Sequence, residues 1–313
     1  MKIVLTLAAL GIAAIAAPAF GSHKTAPAPT APEGKIVRVA ESTSLVRNKK
    51  KLSSRDFLVY EPAGYDDVEN ANRRYPVIYL LHGSPGNPSN FLNFGHWPQL
   101  IEQAAKLGDC AQAILVMPDG NYEGGKYGDS EWVNSADGLD RYEDYIATQM
   151  VGWADGNLRT QADAKDRILC GVSEGGFGAV NIGLHHPEVF GKVIAISGYY
   201  HNDGSGWARE VMGRDPAYLR ANSPLDYLSG LDAGVKSVAA WKKSVFYLGA
   251  GDDEGRYVDE TRALATRLGV LGIPRTLSVL DGRHGWTLWN PLFLGALKTM
   301  LPPENAAAGS SAL

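Results

Sequence analysis

Residues 167–178 read RILCGVSEGGFG, in which a short apolar run meets a glycine cluster that contains one serine, Ser173. The central pentapeptide, GVSEG, fits the pattern GxSxG, in which a serine lies on a sharp turn between a strand and a helix. The apolar run predicts a buried parallel strand, and residues 174–186 are compatible with a helix that ends before Pro187. The stretch therefore predicts a nucleophile elbow with Ser173 at its tip.

Outward from this stretch, the chain alternates strand-like and helix-like segments. Such alternation predicts a mostly parallel, eight-stranded sheet with helices on both faces. The first two strands have no helix between them, which predicts an antiparallel pair at the edge of the sheet. Residues 198–243 show little periodicity and predict an insertion that shapes substrate access. The predicted strands are residues 36–46, 57–60, 77–81, 113–117, 167–171, 193–197, 245–249 and 275–280, and the predicted helices are 97–107, 141–157, 174–186, 259–271 and 291–300.

Composition and charge are those of an ordinary globular chain. With 313 residues, 45% of them hydrophobic, the chain can bury a large core, and one domain at residues 36–301 is the simplest division. The formal net charge is −4 and no block of lysine or arginine stands out. These features argue against a nucleic-acid partner and against an anionic membrane surface. They predict nothing about the oligomeric state.

The first 21 residues have the pattern of a secretory signal peptide. Met1-Lys2 is followed by an apolar run that ends at Ala17, and small residues follow it. The run is shorter than the ~20 apolar residues of a membrane span, so we expect cleavage rather than stable membrane insertion. Residues 22–35 are rich in proline and alanine and predict a flexible spacer, and residues 302–313 predict a flexible tail. The mature protein is thus expected to be secreted or periplasmic.

Sites in open α/β sheets form beyond the carboxyl ends of the strands, so the residues that follow each strand are candidates for the chemistry. His284 follows the last predicted strand, downstream of both the serine elbow and an acidic cluster, which produces the order serine, acid, histidine. A histidine in this place can remove the proton of a serine hydroxyl near neutral pH. Asp252, Asp253 and Glu254 all qualify by position as the acid that orients the imidazole.

An oxyanion formed at Ser173 needs two backbone N–H donors. We expect one from Glu174, the residue after the nucleophile, and the other from the turn after Gly83, at Ser84. Neither role uses a side chain. His82, in the same turn, is expected to order the loop.

Five motifs resemble those of the Putative esterase family of α/β-hydrolases. They occur in one order, as LLHG at residues 80–83, MPDG at 117–120, GVSEGGFGA at 171–179, HHPEVFGKVIAISG at 185–198 and HGWTLW at 284–289. The family includes esterase D, feruloyl and acetylxylan esterases, enterochelin esterase and the mycobacterial mycolyltransferases. The resemblance covers residues 36–301 and implies an α/β-hydrolase fold.

The resemblance also implies roles for particular residues. It implies Ser173 as the nucleophile, His284 as the base, and Asp252 as the acid, because Gly249-x-x-Asp252 matches the family pattern best. Trp286 and Trp289 match tryptophans that commonly follow the family histidine. One departure is Glu174, where many members have methionine. A carboxylate pointing at the oxyanion would oppose its charge, so we expect this side chain to face elsewhere.

Together these features predict a serine esterase that hydrolyses carboxylic esters through an acyl-enzyme, with neither a metal ion nor a cofactor. An acyltransferase of the mycolyltransferase type would use the same residues, and a catalytically silent binding protein would keep the same fold. The expected substrates are short or aromatic acyl esters, including feruloyl or acetyl esters of carbohydrate. Aromatic side chains that could line the substrate site are Trp132, Tyr199, Tyr200, Trp207, Trp286 and Trp289.

Overall fold

The computed structural model describes residues 32–46, 54–121, 128–206 and 208–303. It contains one eight-stranded sheet, as the sequence predicts. Each predicted strand overlaps an observed one, and the central strands are buried almost without interruption because helices cover both of their faces. The strands are β1 (Lys35–Ser42), β2 (Ser54–Glu61), β3 (Val77–Leu81), β4 (Ile114–Met117), β5 (Arg167–Val172), β6 (Lys192–Ile196), β7 (Val245–Gly251) and β8 (Arg275–Leu280).

The order of the strands in the sheet is β1-β2-β4-β3-β5-β6-β7-β8. Strands β1 and β2 pair antiparallel, β2 pairs antiparallel with β4, and all the other pairs are parallel. The predicted antiparallel edge is therefore confirmed. Because β5 lies near the middle of the parallel part, Ser173 emerges at its carboxyl end between the loops of β3 and β6.

Eleven α-helices occur among the described residues, and a π-helical turn, Tyr145–Met150, joins two of them. The last helix begins at Trp286, earlier than the predicted start at Pro291, and the proline lies inside it. The helices are α1 (Asn90–Asn93), α2 (Trp97–Lys106), α3 (Tyr142–Asp144), α4 (Val151–Asn157), α5 (Glu174–His185), α6 (Ala208–Met212), α7 (Pro216–Ala221), α8 (Pro224–Leu228), α9 (Lys236–Trp241), α10 (Arg256–Val270) and α11 (Trp286–Met300). The predicted insertion at residues 198–243 contains the four short helices α6 to α9.

The core is divided by the sheet into two layers. Along β3, Val77, Tyr79 and Leu81 pack with α4, α5 and α10, whereas Ile78 and Leu80 pack with α2 and α11 on the other face. This alternation follows from the two-residue period of a strand. Helices thus cover both faces of the sheet, as the sequence predicts.

The predicted signal peptide lies outside the described residues, as do most of the predicted spacer and tail. The last residues of the predicted spacer contact the domain. The backbone N–H groups of Glu33 and Gly34 each donate to the carboxylate of Glu102 at 3.1 Å, and β1 begins at Lys35. Within the described part of the chain, no helix has the length and apolar character needed to span a membrane.

Candidate active site

The turn between β5 and α5 holds Ser173 in a strained conformation. Its φ of 57° and ψ of −121° lie where residues with a side chain are rarely found. Neighbouring chain comes very close: a Cβ at Gly171 would be 2.0 Å from the carbonyl oxygen of Gly175, and one at Gly175 would be 2.0 Å from that of Leu81. Only glycine fits at these two positions. The two glycines of the GxSxG pattern thus allow the close approach of neighbouring backbone, as the sequence predicts.

His284 lies beside the serine, as predicted. Its Nε2 is 2.9 Å from Oγ of Ser173, and its Nδ1 is 2.7 Å from Oε1 of Glu254. Because a carboxylate only accepts hydrogen bonds, Nδ1 carries the proton and donates it to Glu254. Nε2 is then free to accept the hydroxyl proton of Ser173. The imidazole is thereby held in the tautomer that a general base requires.

Glu254 is the carboxylate that the structure brings to the histidine, and the prediction of Asp252 is wrong on this point. Asp252 lies at the exposed end of β7, where its Oδ1 accepts from the backbone N–H of Gly282 at 3.1 Å. Asp253 is also exposed and pairs with Arg283 at 2.6 Å. Strand β7 extends to Gly251, beyond its predicted end at residue 249. The turn after the strand therefore begins at Asp252, and its third residue, Glu254, contacts the imidazole.

The carboxylate of Glu254 is fully buried, whereas a third of the His284 side chain is exposed. A buried charge needs hydrogen bonds to replace its hydration. Glu254 accepts them from His284, from the backbone N–H of Gly251 and, at 2.8 Å, from the hydroxyl of Ser197. The Ser197 hydroxyl in turn accepts from Nε1 of Trp289 at 3.0 Å. Sequence reasoning missed Ser197, and its only signal was its position at the carboxyl end of β6.

Two aromatic rings hold the imidazole of His284. Trp289 meets it edge-on at 5.0 Å between ring centroids, and Tyr257 lies against it at 4.5 Å. Trp289 is buried and its N–H is used by Ser197, so it supports the histidine and Glu254 rather than offering a free surface. Trp286 is half-buried next to Trp289. Of these two tryptophans, only Trp286 keeps part of its side chain exposed.

The loop after β3 passes directly over the nucleophile. A Cβ at Gly83 would lie 2.8 Å from that of Ser173. His82 orders this loop, as expected: its Nδ1 donates to the carbonyl of Gly83 at 3.1 Å, and its Nε2 accepts from the N–H of Gly120 at 3.0 Å. Trp132 was expected to bind substrate, but it is completely buried and donates Nε1–H to the carbonyl of His82 at 3.0 Å. Its role is to support the loop.

The two predicted oxyanion donors lie on either side of Ser173. Glu174 begins α5, where the first N–H groups have no partner within the helix. Ser84 follows Gly83 in the loop above the serine, and its peptide bond to Pro85 is cis. The side chain of Ser84 is hydrogen-bonded to Asp129, so only its backbone N–H is available for the predicted role.

The side chain of Glu174 is buried among other acidic groups. Burial raises its pKa well above the usual range, and the nearby carboxyls of Glu131 and Asp129 raise it further. Its carboxyl accepts a hydrogen bond from the backbone N–H of Glu131, whose own Oε2 accepts from the hydroxyl of Tyr199. Burial and the acidic neighbours thus favour the neutral form of this carboxyl, which carries no charge to oppose an oxyanion. In the described part of the chain, no group of three or more histidine, cysteine, aspartate or glutamate side chains is arranged to hold a metal ion.

The other aromatic candidates differ in their exposure. Tyr200 is fully buried and lines no surface, and Trp207 lies outside the described residues. Tyr199 stacks on Phe177 and borders a cavity above the sheet. The substrate site therefore has fewer free aromatic surfaces than the sequence suggested.

Serine, acid and histidine follow β5, β7 and β8 in that order, and together with the mostly parallel sheet they define the class of α/β-hydrolases. Comparison with known families agrees with this class. A family model described as Putative esterase matches residues 52–300. The chain belongs to the Putative esterase family.

Individual relatives share only about a third or less of their aligned residues with this chain. An esterase of Mycobacterium tuberculosis (strain ATCC 25618 / H37Rv) is 33% identical over 133 residues, which cover 42% of this chain and 27% of that protein. An endo-1,4-beta-xylanase/feruloyl esterase of Xylanibacter ruminicola is 30% identical over 141 residues, covering 45% of this chain and 19% of that protein. The chain thus spans less than a third of the length of these curated relatives. Among solved structures, a ferulic acid esterase is 23% identical, with a TM-score of 0.74 over 86% of this chain and 98% of that chain, which shows the shared fold.

Proposed function

We propose that this protein hydrolyses carboxylic esters through an acyl-enzyme formed on Ser173. The observation that carries the proposal is the continuous hydrogen-bonded chain from Glu254 through His284 to Oγ of Ser173. It satisfies the two requirements for activating a serine: a base within hydrogen-bond reach and a third group that orients the base. The family model supports the same reaction class.

In the proposed first half-reaction, Oγ of Ser173 attacks the ester carbonyl while Nε2 of His284 takes its proton. The tetrahedral intermediate carries its negative charge on the former carbonyl oxygen, which the backbone N–H groups of Ser84 and Glu174 stabilise. The bond to the alcohol oxygen then breaks, and His284 returns the proton to that oxygen. The products of this half-reaction are the free alcohol and the Ser173 ester.

In the second half-reaction, water replaces the alcohol. His284 takes a proton from the water while the water oxygen attacks the acyl carbon. His284 then returns the proton to Oγ of Ser173, which leaves as the free hydroxyl. Glu254 accepts the hydrogen bond from Nδ1 of His284 and stabilises the imidazolium. Its three hydrogen bonds replace hydration that the buried carboxylate has lost.

We propose short or aromatic acyl groups for the substrate, including acetyl and feruloyl. Relatives named as a feruloyl esterase and an acetyl esterase support this range. The partly exposed ring of Trp286 offers aromatic surface for a flat acyl group. Acyl transfer to a sugar remains the alternative, because it would use the same residues.

The test of the function uses Ser173→Ala, which removes the acyl acceptor without adding bulk. We expect hydrolysis of short p-nitrophenyl esters and of methyl ferulate to fall by a thousandfold or more. A fluorophosphonate probe should label the wild type and not the variant. Substantial turnover by the variant would contradict the acyl-enzyme. If an added sugar acceptor receives the acyl group faster than water does, the protein is an acyltransferase.

We also propose that the protein acts outside the cytoplasm, because of the signal-like pattern in its first 21 residues. The full chain would be expressed in a bacterial host, and the ester-hydrolysing fraction isolated from the periplasm or medium. Its N-terminal sequence should begin near Phe20 or Ser22. An intact N-terminus on active protein in the cytoplasm would contradict this proposal.

A further inference from the structure

Two consecutive residues between β4 and α3, Glu131 and Trp132, have left-handed backbone conformations. Each has a φ of 53°, and both side chains are completely buried. Such backbone is rare for residues that have a side chain, and it persists only where surrounding contacts enforce it. Strain of this kind concentrates at functional sites. Residues 129–132, the strained segment, contact both elements that carry the proposed oxyanion donors.

The first of these elements is the loop after β3, which carries Ser84. Trp132 donates Nε1–H to the carbonyl oxygen of His82 at 3.0 Å, and its ring meets the imidazole of His82 edge-on at 5.0 Å between centroids. The carboxylate of Asp129 accepts a hydrogen bond from the hydroxyl of Ser84. The strained segment thus holds the loop at two points, one on each side of Gly83.

The second element is the start of α5, which supplies the other proposed donor. The backbone N–H of Glu131 donates to the carboxyl of Glu174. About one helical turn further along α5, a Cβ at Gly178 would lie only 2.5 Å from that of Trp132. Because Gly178 has no side chain, Trp132 packs directly against the helix.

The loop and the helix touch at the carbonyl of His82. A Cβ at Gly175, the residue after Glu174, would lie 2.7 Å from this oxygen. The oxygen that accepts the bond from Trp132 is therefore also packed against the start of α5. A displacement of His82 would change the separation between the N–H groups of Ser84 and Glu174. Donors to an oxyanion are effective when they are held in advance where the negative charge develops, so a small displacement lowers the rate.

We propose that Trp132 positions the oxyanion hole by fixing the loop after β3 against the start of α5. Trp132 contacts no reacting atom and acts through His82 and the helix, so it is a positioning residue. The inference rests on the proposed esterase function. Loss of the indole N–H should weaken the binding of the transition state more than that of the substrate, because the full negative charge develops only in the transition state.

The first variant is Trp132→Phe, which removes the Nε1–H donor and keeps an aromatic ring. We expect kcat for p-nitrophenyl acetate to fall about tenfold to a hundredfold, with KM within about twofold of the wild-type value. Trifluoroacetophenone provides a second readout. Oγ of Ser173 adds to its carbonyl carbon while His284 takes the serine proton, which leaves an oxyanion on the adduct. Its affinity should fall by about the same factor as kcat/KM.

Trp241→Phe is the matched control. Trp241 is also buried and also donates Nε1–H to a backbone carbonyl, that of Leu184 at 2.6 Å, near the other end of α5. The variant loses the same kind of hydrogen bond far from the loop after β3. Its kcat/KM and its affinity for trifluoroacetophenone should stay near the wild-type values.

Ser84→Ala tests the other contact between the strained segment and the loop. Ser84 is only half-buried, and the variant removes the hydroxyl that donates to Asp129 but keeps the backbone N–H. We expect kcat to fall about threefold to tenfold, with a matching loss of affinity for trifluoroacetophenone. This variant decides the question if Trp132→Phe does not fold, as judged by circular dichroism.

The inference is overturned if folded Trp132→Phe keeps the wild-type kcat and inhibitor affinity, or if its kcat falls while the affinity does not. An equal loss in Trp241→Phe would also overturn it, because the effect would then be one of general stability. Failure of the esterase function is a different result: the wild type would hydrolyse no ester, and a fluorophosphonate would not label Ser173.

Discussion

Asp252 and Glu254 are two residues apart, yet only Glu254 contacts the histidine. The sequence offered three carboxylates in a row after β7, and the family pattern favoured the first. Their environments separate them: Asp252 and Asp253 lie in solvent with partners from the turn after β8, whereas Glu254 is buried against His284. A buried carboxylate is stable only where several hydrogen-bond donors replace its hydration. The three donors to Glu254 are His284, Gly251 and Ser197, which come from three separate parts of the chain.

Glu254→Gln should lower kcat/KM by about a thousandfold to ten-thousandfold. The amide can donate to Nδ1 of His284 and so favour the wrong tautomer, which leaves Nε2 unable to accept the serine proton. Asp252→Asn is the matched control, because the amide oxygen can still accept from Gly282, and its rate should stay near that of the wild type. Steady-state kinetics on a p-nitrophenyl ester decide between them. A collapse in Asp252→Asn with a normal rate in Glu254→Gln would reverse the assignment.

Helix α5 has Ser173 at its N-terminal end and a second cluster of ionisable groups at its other end. His185 and His186 contact the same oxygen of Glu143, at 3.0 and 2.9 Å, and so fasten the helix to α3. Burial would raise the pKa of Glu143, but the hydrogen bonds from the two histidines outweigh it and lower the pKa to about 2. The bond to Glu143 raises the pKa of His186.

This cluster should stabilise the fold most within a window of pH. The lowered pKa of Glu143 contributes stability above its ordinary value of 4.5, and that contribution is lost as the pH falls toward 2. The raised pKa of His186 contributes stability below its ordinary value of 6.5, and that contribution is lost as the pH rises through the raised value. The two contributions coincide between about pH 5 and pH 6.5.

Glu143→Gln should therefore lower the Tm most within that window, by about 4 °C near pH 6, and less near pH 9. Thermal unfolding followed by circular dichroism at several pH values checks this. Glu188→Gln is the control, because Glu188 is exposed and lies 3.6 Å from His186. The cluster is ~18 Å along the helix from Ser173, so kcat/KM should change little. An equal loss of Tm at every pH would contradict the role of these charges.

At the scale of the whole molecule, hydrophobic pattern was enough to predict the sheet. Every predicted strand overlaps an observed one. The apolar strands β3 to β6 are buried because helices cover both faces of the sheet there. The boundaries were less predictable. Strand β7 extends to Gly251 because Gly251 still pairs with Leu280 of β8, and helix α11 begins at Trp286 with Pro291 inside it.

The sequence by itself determined the elbow, the position of Ser173 and the choice of His284. These depend on local rules: glycines where the chain comes too close for a Cβ, and a histidine that follows the last strand. Only the tertiary structure decided which carboxylate meets the histidine, that Ser197 and Trp289 support it, and that Trp132 is buried beneath the loop. Those contacts join residues from distant strands. The register and packing of the whole sheet decide which of these residues meet, and no local sequence pattern encodes them.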